Sequence, residues 1–421
     1  MASTRRRAPL AQQEARLAYA MLVPTLAVVL AVVVVPLVLN IWISFKPITL
    51  GDLRAPQPVA RATILREPAG PGDELVIRYR LRNSSRTTPL LDVRLEHRLP
   101  SGLALQAADA RCSLDGNLFR CEVGDWAAGQ QEDLQVVFVA EEAYFASEEA
   151  LSTTVAITGR GVNPLWDGRF TLDNYRRVLS GYELWPALKT TLIYTFVATA
   201  GSILLGLFAA QLLNAPFRGK GALRSLFLFP YVAPVIAVAF TWAFLLDPAS
   251  GPINALAMEY GWLEAPLNFL GQRAATVELF GLRLQVPLAL ASVILFEMWR
   301  YFPFAFLFIL ARLQAIPADL YEAANVDGAT PFQVFRYVTL PQLVGILSTL
   351  FLLRVMWTFN KFDDIFLLTG GAAGTKTLTV QVYDQAFALA NLGAGSAVAV
   401  ILFGVLALYM FFHFRYVPEG S

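Results

Sequence analysis

The chain has 421 residues, of which 56% are hydrophobic and only 15% are charged, whereas soluble domains carry about 25% charged residues. Its formal net charge of +1 says nothing for a polyanionic partner, so nucleic-acid binding has no support and we expect no such partner. The composition is instead typical of a protein that lies in membrane lipid and crosses the bilayer several times, and it predicts an all-α membrane part.

Charge-poor runs long enough to span a bilayer recur along the chain. They lie between Arg16 and Lys46, Lys189 and Arg218, Arg224 and Asp247, from about Val286 to Ala311, after Pro341 as far as Arg354, and between Asp384 and Arg415. We therefore predict six transmembrane helices, the first in a segment 1–46 and the other five in a core at 183–421. The first run is too long for a cleaved secretory signal and lacks a small-x-small pattern after Asn40, so we interpret it as an uncleaved anchor.

Basic residues predict the orientation of these helices. They precede the first run, crowd the connection between the second and third, lie on both sides of Glu322 just before and within segment 317–341, and follow the last run, at Arg5, Arg6, Arg7, Arg16, Arg218, Lys220, Arg224, Arg312, Arg336 and Arg415. All these places fall on one side of an even-numbered bundle. We expect both termini and segment 317–341 in the cytoplasm.

Between the first two runs, residues 47–182 change to a pattern of short strands. Apolar side chains alternate with polar ones at Leu75, Ile77, Tyr79 and Leu81, then at Leu91, Val93 and Leu95, and residues 134–139 and 153–158 are rich in β-branched types. Strands of this length parted by turns predict an inserted all-β sandwich of about 100 residues on the extracytoplasmic side.

Cys112 and Cys121 are the only cysteines, and both lie in this insertion. On the oxidising side of a membrane we expect them to form a disulfide, the alternative being two buried free thiols. Zinc is a poor alternative because the chain has only two histidines, His97 and the distant His413. We expect His97 to lie on the polar face of a strand, in contact with solvent.

In the fourth run, Glu297 and Arg300 are three residues apart, so a helix would let them neutralise each other. Charges at bilayer depth are costly and mark candidate functional sites. A second group of polar residues, which includes Arg354, Asn360 and Lys361, crowds the end of the fifth run. Together with nearby aromatic residues, these two groups predict a cargo pathway.

The segment between these two runs reads as two short helices separated by a glycine turn. Pro317 suits the start of the first helix, and Gly328 can adopt the left-handed conformation that ends it. Thr330 and Gln333 have the spacing of a capping box. Phe332, Phe335 and Val338 are then expected on one helical face. Such a hairpin is suited to insertion into a groove of a partner protein.

The same segment resembles the EAA loop of binding-protein-dependent ABC importer permeases. The resemblance rests on Glu322-Ala323-Ala324, Gly328 and Val338-Thr339-Leu340-Pro341 at the family's spacing. Flanking Ile316-Pro317 and Asp327-Gly328-Ala329 are similar to the sugar branch, which contains the maltose permease. The resemblance implies a type I importer permease fold and docking on a cytoplasmic ATPase. The coupling residues it implies are Glu322, Ala323, Ala324, Asp327, Gly328, Leu340 and Pro341.

The resemblance also implies the cell (inner) membrane of a bacterium and the rest of the assembly: a second permease subunit, two cytoplasmic ATP-binding subunits and an extracytoplasmic substrate-binding protein. The run 370–377 superficially resembles a phosphate-binding loop but lacks the Gly-Lys adjacency and does not join a strand to a helix. We therefore expect no cofactor in this chain, with ATP and magnesium held by the ATPase subunits.

The insertion resembles the immunoglobulin-like repeat of bacterial surface proteins. The order of Asn83, the 99–103 turn, Cys112, Cys121 and Trp126 carries this looser likeness. It implies an immunoglobulin-like sandwich, at the place where the maltose-type permease carries an insertion that meets the binding protein. We therefore expect residues 60–160 to guide or hold that protein.

The sugar-contacting segments of this branch also have counterparts here. Carried over residue by residue, they point to Met298, Tyr301, Phe304, Arg354, Trp357, Thr358 and Lys361, to which the polar clustering adds Arg300 and Asn360. Met298, Tyr301, Arg354 and Lys361 differ in type from the maltose pattern, which favours a different sugar or site; Phe304 could equally be a packing residue. The expected cargo is a maltose- or trehalose-like oligosaccharide, the alternative being glycerol phosphate or a polyol.

Two other classes of protein fit less well. An intramembrane enzyme needs a nucleophile with a base or metal ligands at bilayer depth, and neither a Gly-x-Ser-x-Gly nor a His-Glu-x-x-His arrangement occurs. An anchored surface receptor explains the insertion but neither six spans nor the hairpin. The sequence therefore favours a permease with no catalytic residues of its own.

Overall fold

The computed structural model describes residues 10–147, 150–279 and 282–416. The chain forms two compact units, the first made of Met1–Arg177 with Gln385–Ala397 and the second of Val178–Asp384 with Val398–Ser421. The basic residues Arg5, Arg6 and Arg7, which contributed to the predicted orientation, lie outside the described residues.

The first unit begins with a long apolar helix. Helix α1 (Leu10–Val29) passes through a π turn (Leu30–Val34) into helix α2 (Val35–Ser44). Pro36 lacks an N–H and crowds the carbonyl one turn earlier, which accounts for the wider turn before it. The stretch Arg16–Ser44 has 29 residues, enough to cross a membrane, and its described apolar side chains are mostly exposed.

Two four-stranded antiparallel sheets follow. The strands are β1 (Pro58–Arg66), β2 (Glu74–Asn83), β3 (Leu90–Arg98), β4 (Leu103–Ala107), β5 (Cys112–Asp115), β6 (Leu118–Trp126), β7 (Gln131–Ala140) and, after helix α3 (Glu142–Ala146), β8 (Ala156–Arg160). Their orders are β1-β2-β7-β4 and β5-β6-β3-β8. Leu75, Ile77, Tyr79 and Leu81 are buried in a core shared by both sheets, as their alternation predicts. The immunoglobulin-like identity of this region stays a prediction.

Strand β3 departs from the predicted alternation. Leu90 is buried and Leu91 exposed, so the prediction that Leu91 shares the inner face with Val93 and Leu95 is wrong. The reason is a bulge, since the pairing with β6 shifts register between Leu90 and Val93 and Asp92 has φ of 53°. The strand predicted at 153–158 begins instead at Ala156.

His97 is buried at 1% exposure, so the prediction of a solvent-exposed side chain is wrong. It follows Val93 and Leu95 at intervals of two residues, which places it on the inner face of β3. Its Nε2 lies 2.7 Å from the Ser152 carbonyl and its Nδ1 2.7 Å from the Tyr79 hydroxyl. Because a carbonyl only accepts, Nε2 carries the proton, and Nδ1 accepts from Tyr79. Burial lowers the pKa of His97.

Cys112 and Cys121 lie directly opposite each other in the β5–β6 pairing. Their sulfur atoms are 2.05 Å apart, which makes them a disulfide that closes the loop between these two strands. Cys121 is part of the buried core, and Cys112 packs against that core.

The second unit is built mainly of helices. The elements that follow β8 in the chain are α4 (Asp173–Ser180), α5 (Leu184–Asn214), α6 (Lys220–Val232), α7 (Val235–Leu245), α8 (Pro252–Glu259), β9 (Ala275–Leu279), β10 (Leu282–Val286), α9 (Leu288–Gln314), α10 (Ala318–Val326), α11 (Pro331–Val334), a π turn (Phe335–Thr339), α12 (Leu340–Phe359), α13 (Asp363–Thr369), α14 (Leu378–Tyr383), a π turn (Asp384–Ala388) and α15 (Leu392–Tyr416). Among the described residues, five helices are long and apolar enough to span a membrane, or six if the bent pair α6–α7 is one span.

The third predicted span is broken rather than straight. Helices α6 and α7 meet at an angle of 93°. Ala233 is extended because it precedes Pro234, which disfavours a helical conformation for its neighbour. Arg300 of α9 donates to the carbonyls of Pro230 and Ala233, at 3.4 and 3.1 Å, and so satisfies acceptors that the break exposes.

Helices α5 and α9 approach closely because small residues face each other. A Cβ added at Gly206 would lie 2.7 Å from the Cβ of Ala305 and 2.8 Å from the backbone nitrogen of Phe306. Such contacts between small residues let helix backbones pack tightly in a membrane.

A buried ion pair joins α9 to α12. Arg354 Nη2 donates to Glu297 Oε1 at 2.7 Å, and the two side chains are 1% and 0% exposed. The Thr358 hydroxyl donates to the same oxygen at 3.3 Å. The prediction that Glu297 pairs with Arg300 is therefore wrong, because the helix directs Glu297 toward α12 while Arg300 extends to the break between α6 and α7.

We predict that acid weakens the β-sheet unit through His97. In the unfolded chain a histidine has a pKa near 6.5. Because the folded pKa is lower, the unfolded state takes up the proton first as pH falls. Stability is thus fully present above about pH 6.5 and decreases below it, toward the folded pKa, by at most about 1.4 kcal/mol per pH unit. Hydrogen exchange of β2 and β3 peptides, corrected for intrinsic rates, measures this. His97→Gln should flatten the profile, and an unchanged profile would contradict the role of His97.

We also predict that Arg354→Met destabilises the helical unit by about 3–5 kcal/mol, because Glu297 is left buried without its counter-ion. Thermal unfolding of the purified chain in detergent measures the effect. Arg66→Met is the matched control, since Arg66 pairs with Glu74 at 3.1 Å but both side chains are exposed, at 66% and 43%; its loss should cost about 1 kcal/mol or less. Equal losses of stability in the two variants would show that the buried pair contributes no more to stability than an exposed one.

Candidate functional site

The hairpin between α9 and α12 has the local structure that its sequence predicts at the turn. Helix α10 begins after Pro317 and has its C-cap at Asp327, and Gly328 adopts φ of 71°. Thr330 Oγ1 accepts from the Gln333 backbone N–H, and Gln333 Oε1 accepts from the Thr330 N–H at 2.7 Å. These contacts confirm the glycine turn and the capping box.

The second half of the hairpin differs from the prediction of a separate short helix. Helix α11 continues through the π turn Phe335–Thr339 into α12, and Pro331–Phe359 forms one stretch of 29 residues. Pro341 explains the π turn, since it cannot donate and its ring crowds the preceding turn. Phe332 is exposed while Phe335 and Val338 are half-buried, so the three residues differ in their access to solvent.

The tip of the hairpin exposes two large apolar side chains. Val326 is 87% exposed and Phe332 is 73% exposed. Of the predicted coupling residues, Glu322, Ala323, Asp327, Gly328 and Pro341 are exposed, whereas Ala324 and Leu340 are half-buried. Tyr321 fixes α10 to the π turn through a 3.2 Å contact between its hydroxyl and that of Thr339. The tip is thus a firmly held surface with apolar and acidic groups, suited to contacting another protein.

A group of aromatic rings, here called the aromatic cluster, lies on α6, α9 and α12. Its members are Tyr231, Tyr301, Phe304, Phe308 and Trp357. Ring centroids are separated by 5.1 Å for Phe304 and Trp357, 4.9 Å for Phe304 and Phe308, and 5.9 Å for Tyr231 and Tyr301. Trp357 is 48% exposed. The cluster therefore combines packed rings with an indole that this chain leaves half uncovered.

Cations border the cluster at Tyr301. The Arg354 guanidinium lies 4.3 Å from the centre of the Tyr301 ring and the Lys361 ammonium 4.6 Å from it. Lys361 also donates to the Tyr301 hydroxyl and lies 3.3 Å from Asp363 Oδ1. Each of these cations already has a protein partner, so the electrostatic environment around Tyr301 is largely balanced within the chain.

The remaining predicted cargo residues differ in how far their side chains are buried. Arg300 and Thr358 are buried and bonded as described above. The half-buried Met298 occupies the space in front of Gly201 on α5. Asn360 is exposed, and its Nδ2 donates to the Met356 carbonyl at 2.8 Å. Only Trp357 and Asn360 among the predicted set are exposed, while Tyr301, Phe304 and Lys361 are half-buried.

Tyr231 and Phe308 were missed by the sequence reasoning. Tyr231 follows Pro230 directly and precedes the break at Pro234, so two prolines in one apolar run were a signal that this span bends toward the cargo residues. Phe308 is four residues after Phe304, on the same side of α9, and helical spacing alone could have found it. Among the described residues, no three His, Cys, Asp or Glu side chains come together to hold a metal ion.

Comparison with known proteins relates this geometry to a family. Residues 202–418 match the model of the binding-protein-dependent transport system inner membrane component. The chain is similar to the inner membrane ABC transporter permease protein YcjO of Escherichia coli strain K12, with 38% identity over 248 residues, which are 58% of this chain and 79% of the relative. It is also similar to the trehalose/maltose transport system permease protein MalF of Thermococcus litoralis, with 35% identity over 233 residues, 55% of this chain and 74% of the relative.

A solved structure has a similar fold. A chain in the crystal structure of a bacterial ABC transporter involved in the import of the acidic polysaccharide alginate matches with a TM-score of 0.52 and 19% identity, over 60% of this chain and 86% of that chain. At this identity the likeness shows the fold alone, that of an ABC importer permease. Because the family model matches just over half of the chain and both relatives are more than 30% identical, the chain belongs to the family of binding-protein-dependent transport system inner membrane components.

Proposed function

We propose that this chain is a permease subunit of an ABC importer and moves a carbohydrate across the cell membrane. The observation that carries the proposal is the aromatic cluster, in which the exposed indole of Trp357 lies next to Phe304, with 5.1 Å between ring centroids, and three residues before Asn360 in sequence. Sugars offer apolar faces that stack on aromatic rings and hydroxyls that bind amide and phenol groups. The trehalose/maltose permease among the relatives supports the same class of cargo.

A neutral sugar fits this site better than a phosphorylated cargo. Glycerol phosphate is the alternative cargo, and Arg300, Arg354 and Lys361 are the positive charges that could bind its phosphate group. Each of these is now engaged, by backbone carbonyls, by Glu297 and by Asp363 with Tyr301 respectively. Binding a phosphate would require one of these pairs to break. A polyol has the hydroxyls but not the ring face that stacks on Trp357, which leaves an oligosaccharide of the maltose or trehalose kind as our first choice.

The hairpin is the proposed docking element for the ATPase. Exposed Val326 and Phe332 offer apolar contacts, and Glu322 and Asp327 offer charges around them. In this proposal two ATPase subunits, which bind ATP and magnesium, move the hairpins of this chain and of a second permease subunit. Because α11 continues into α12, a displacement of the tip is transmitted to Arg354 and Trp357. This is a two-state coupling through a rigid element.

The proposed orientation places the hairpin and both termini in the cytoplasm. Arg312 precedes the hairpin and Arg336 lies in its second half, and Arg218 and Lys220 lie in another short connection on that side. Counting the bent pair α6–α7 as one span gives six spans. The two-sheet region would then face the oxidising compartment, in keeping with its disulfide. We propose that residues 60–160 contact the substrate-binding protein there.

Replacing Gly328 by valine should weaken coupling to ATP hydrolysis. A Cβ at Gly328 meets no atom within 4 Å, so the cost arises from its φ of 71°, which L-residues with branched side chains avoid. ATP hydrolysis stimulated by the loaded binding protein should fall several-fold in the reconstituted complex. Gly345→Val is the matched control, because Gly345 also has open space but lies in ordinary helix α12. Equal stimulation in the two variants would count against a coupling role for the turn.

Replacing Trp357 by alanine should raise the KM of transport about 2- to 10-fold, since stacking on an indole contributes about 0.5–1.5 kcal/mol. Uptake by proteoliposomes that hold the whole complex measures this. Trp166→Ala serves as the control, because Trp166 is also exposed but belongs to the first unit. A KM that is unchanged in Trp357→Ala, or raised equally in both variants, would remove Trp357 from the cargo site.

A further inference from the structure

Glu297 of α9 and Asp364 of α13 are two fully buried acids in one polar group. Arg354, which binds Glu297, and Lys361, 3.5 Å from Asp364, lie 4.3 and 4.6 Å from the centre of the same Tyr301 ring. The two carboxyl groups are thus neighbours that can share a hydrogen bond. Among the described residues, no N–H or O–H group donates to Glu297 Oε2 or to either carboxyl oxygen of Asp364. Two ionised carboxylates can only accept, and they repel each other. A proton between them removes the repulsion and gives both groups a hydrogen-bond partner.

The charges around the two acids also balance when one proton is present. Arg354 is 2.7 Å from Glu297 Oε1, and Lys361 is 3.3 Å from Asp363 and 3.5 Å from Asp364. One negative charge on the pair, together with that of Asp363, equals the positive charge of the two cations. With both acids ionised, the site would hold one negative charge in excess, away from water.

Two tyrosines also lie near the two acids, but their hydroxyl groups do not supply the missing hydrogen bond. Tyr301 is hydrogen-bonded to Lys361. The buried Tyr194 hydroxyl lies beside Glu297. A hydrogen bond from Tyr194 to Glu297 would still leave the oxygens of Asp364 without a hydrogen bond.

The hydrogen-bond donors around each carboxyl group indicate which of the two acids is protonated. Glu297 receives Arg354 and Thr358 on Oε1, as an ionised carboxylate does. Asp364 receives no hydrogen bond. We propose that Asp364 carries the proton and donates it to Glu297 Oε2, forming a buried acid–carboxylate pair that holds α13 against α9. Asp364 is then a positioning residue, because this contact fixes the neighbouring Lys361 against Tyr301 of the aromatic cluster. The inference rests on the proposed function only where transport is measured.

Infrared spectroscopy of the purified full-length chain tests the proton directly. At about pH 8 ordinary carboxyl groups are ionised. The wild type should therefore show the C=O stretch of a protonated carboxyl group, shifted in D2O and absent from Asp364→Asn. Asp363→Asn is the matched control and should keep the band. A wild-type spectrum without this band, or a band that persists in Asp364→Asn, would overturn the proposal.

Transport by the reconstituted complex tests the positioning role. Asparagine can still donate to Glu297, so Asp364→Asn should retain transport within about twofold, whereas Asp364→Leu cannot donate and should lose at least about tenfold. Equal impairment of the two variants would contradict the role of the donated hydrogen bond. If the wild type transports no sugar, the proposed function fails, and the infrared band still decides whether the proton is present.

Discussion

The buried contact between Glu297 and Arg354 is the constraint on which the membrane-embedded site depends. Two charges away from water are tolerated only when they face each other with good geometry. The requirement fixes α9 against α12 at one register. It also holds Arg354 beside the Tyr301 ring and brings Thr358 to the same carboxylate. The aromatic cluster is assembled around this contact, since its rings lie on the same two helices and on the broken span.

The break between α6 and α7 adds a second constraint. A bent helix leaves carbonyl groups without partners, and in a membrane such groups need a donor from the protein. Arg300 supplies it, which removes that cation from the set available to a cargo. Tyr231, near the break, lies against Tyr301 and Phe304. The bend thus contributes both an aromatic residue and a reason for the neutral character of the site.

Local features of the chain were predictable from the sequence, and long-range ones were not. The glycine turn at Gly328 and the Thr330–Gln333 capping box depend on residues within one turn, and both were predicted. Glu297 pairs with a residue 57 positions away, whereas sequence spacing suggested only its neighbour Arg300. The bulge at Asp92 could not be read from alternation. The buried position of His97 could have been predicted, because His97 continues the two-residue spacing of Val93 and Leu95. The π turn Phe335–Thr339 could also have been predicted, because Pro341 lacks an N–H and crowds the preceding turn.

These constraints lead to our central proposal, that the candidate site receives a neutral sugar because its cations are already occupied. The most direct test is ATP-dependent uptake by proteoliposomes that contain both permease subunits, the ATPases and the binding protein, with trehalose or maltose compared with glycerol phosphate. We predict saturable uptake of a disaccharide and none of the phosphate ester. Uptake of glycerol phosphate alone would contradict the account, because it would require Arg300, Arg354 or Lys361 to leave its partner.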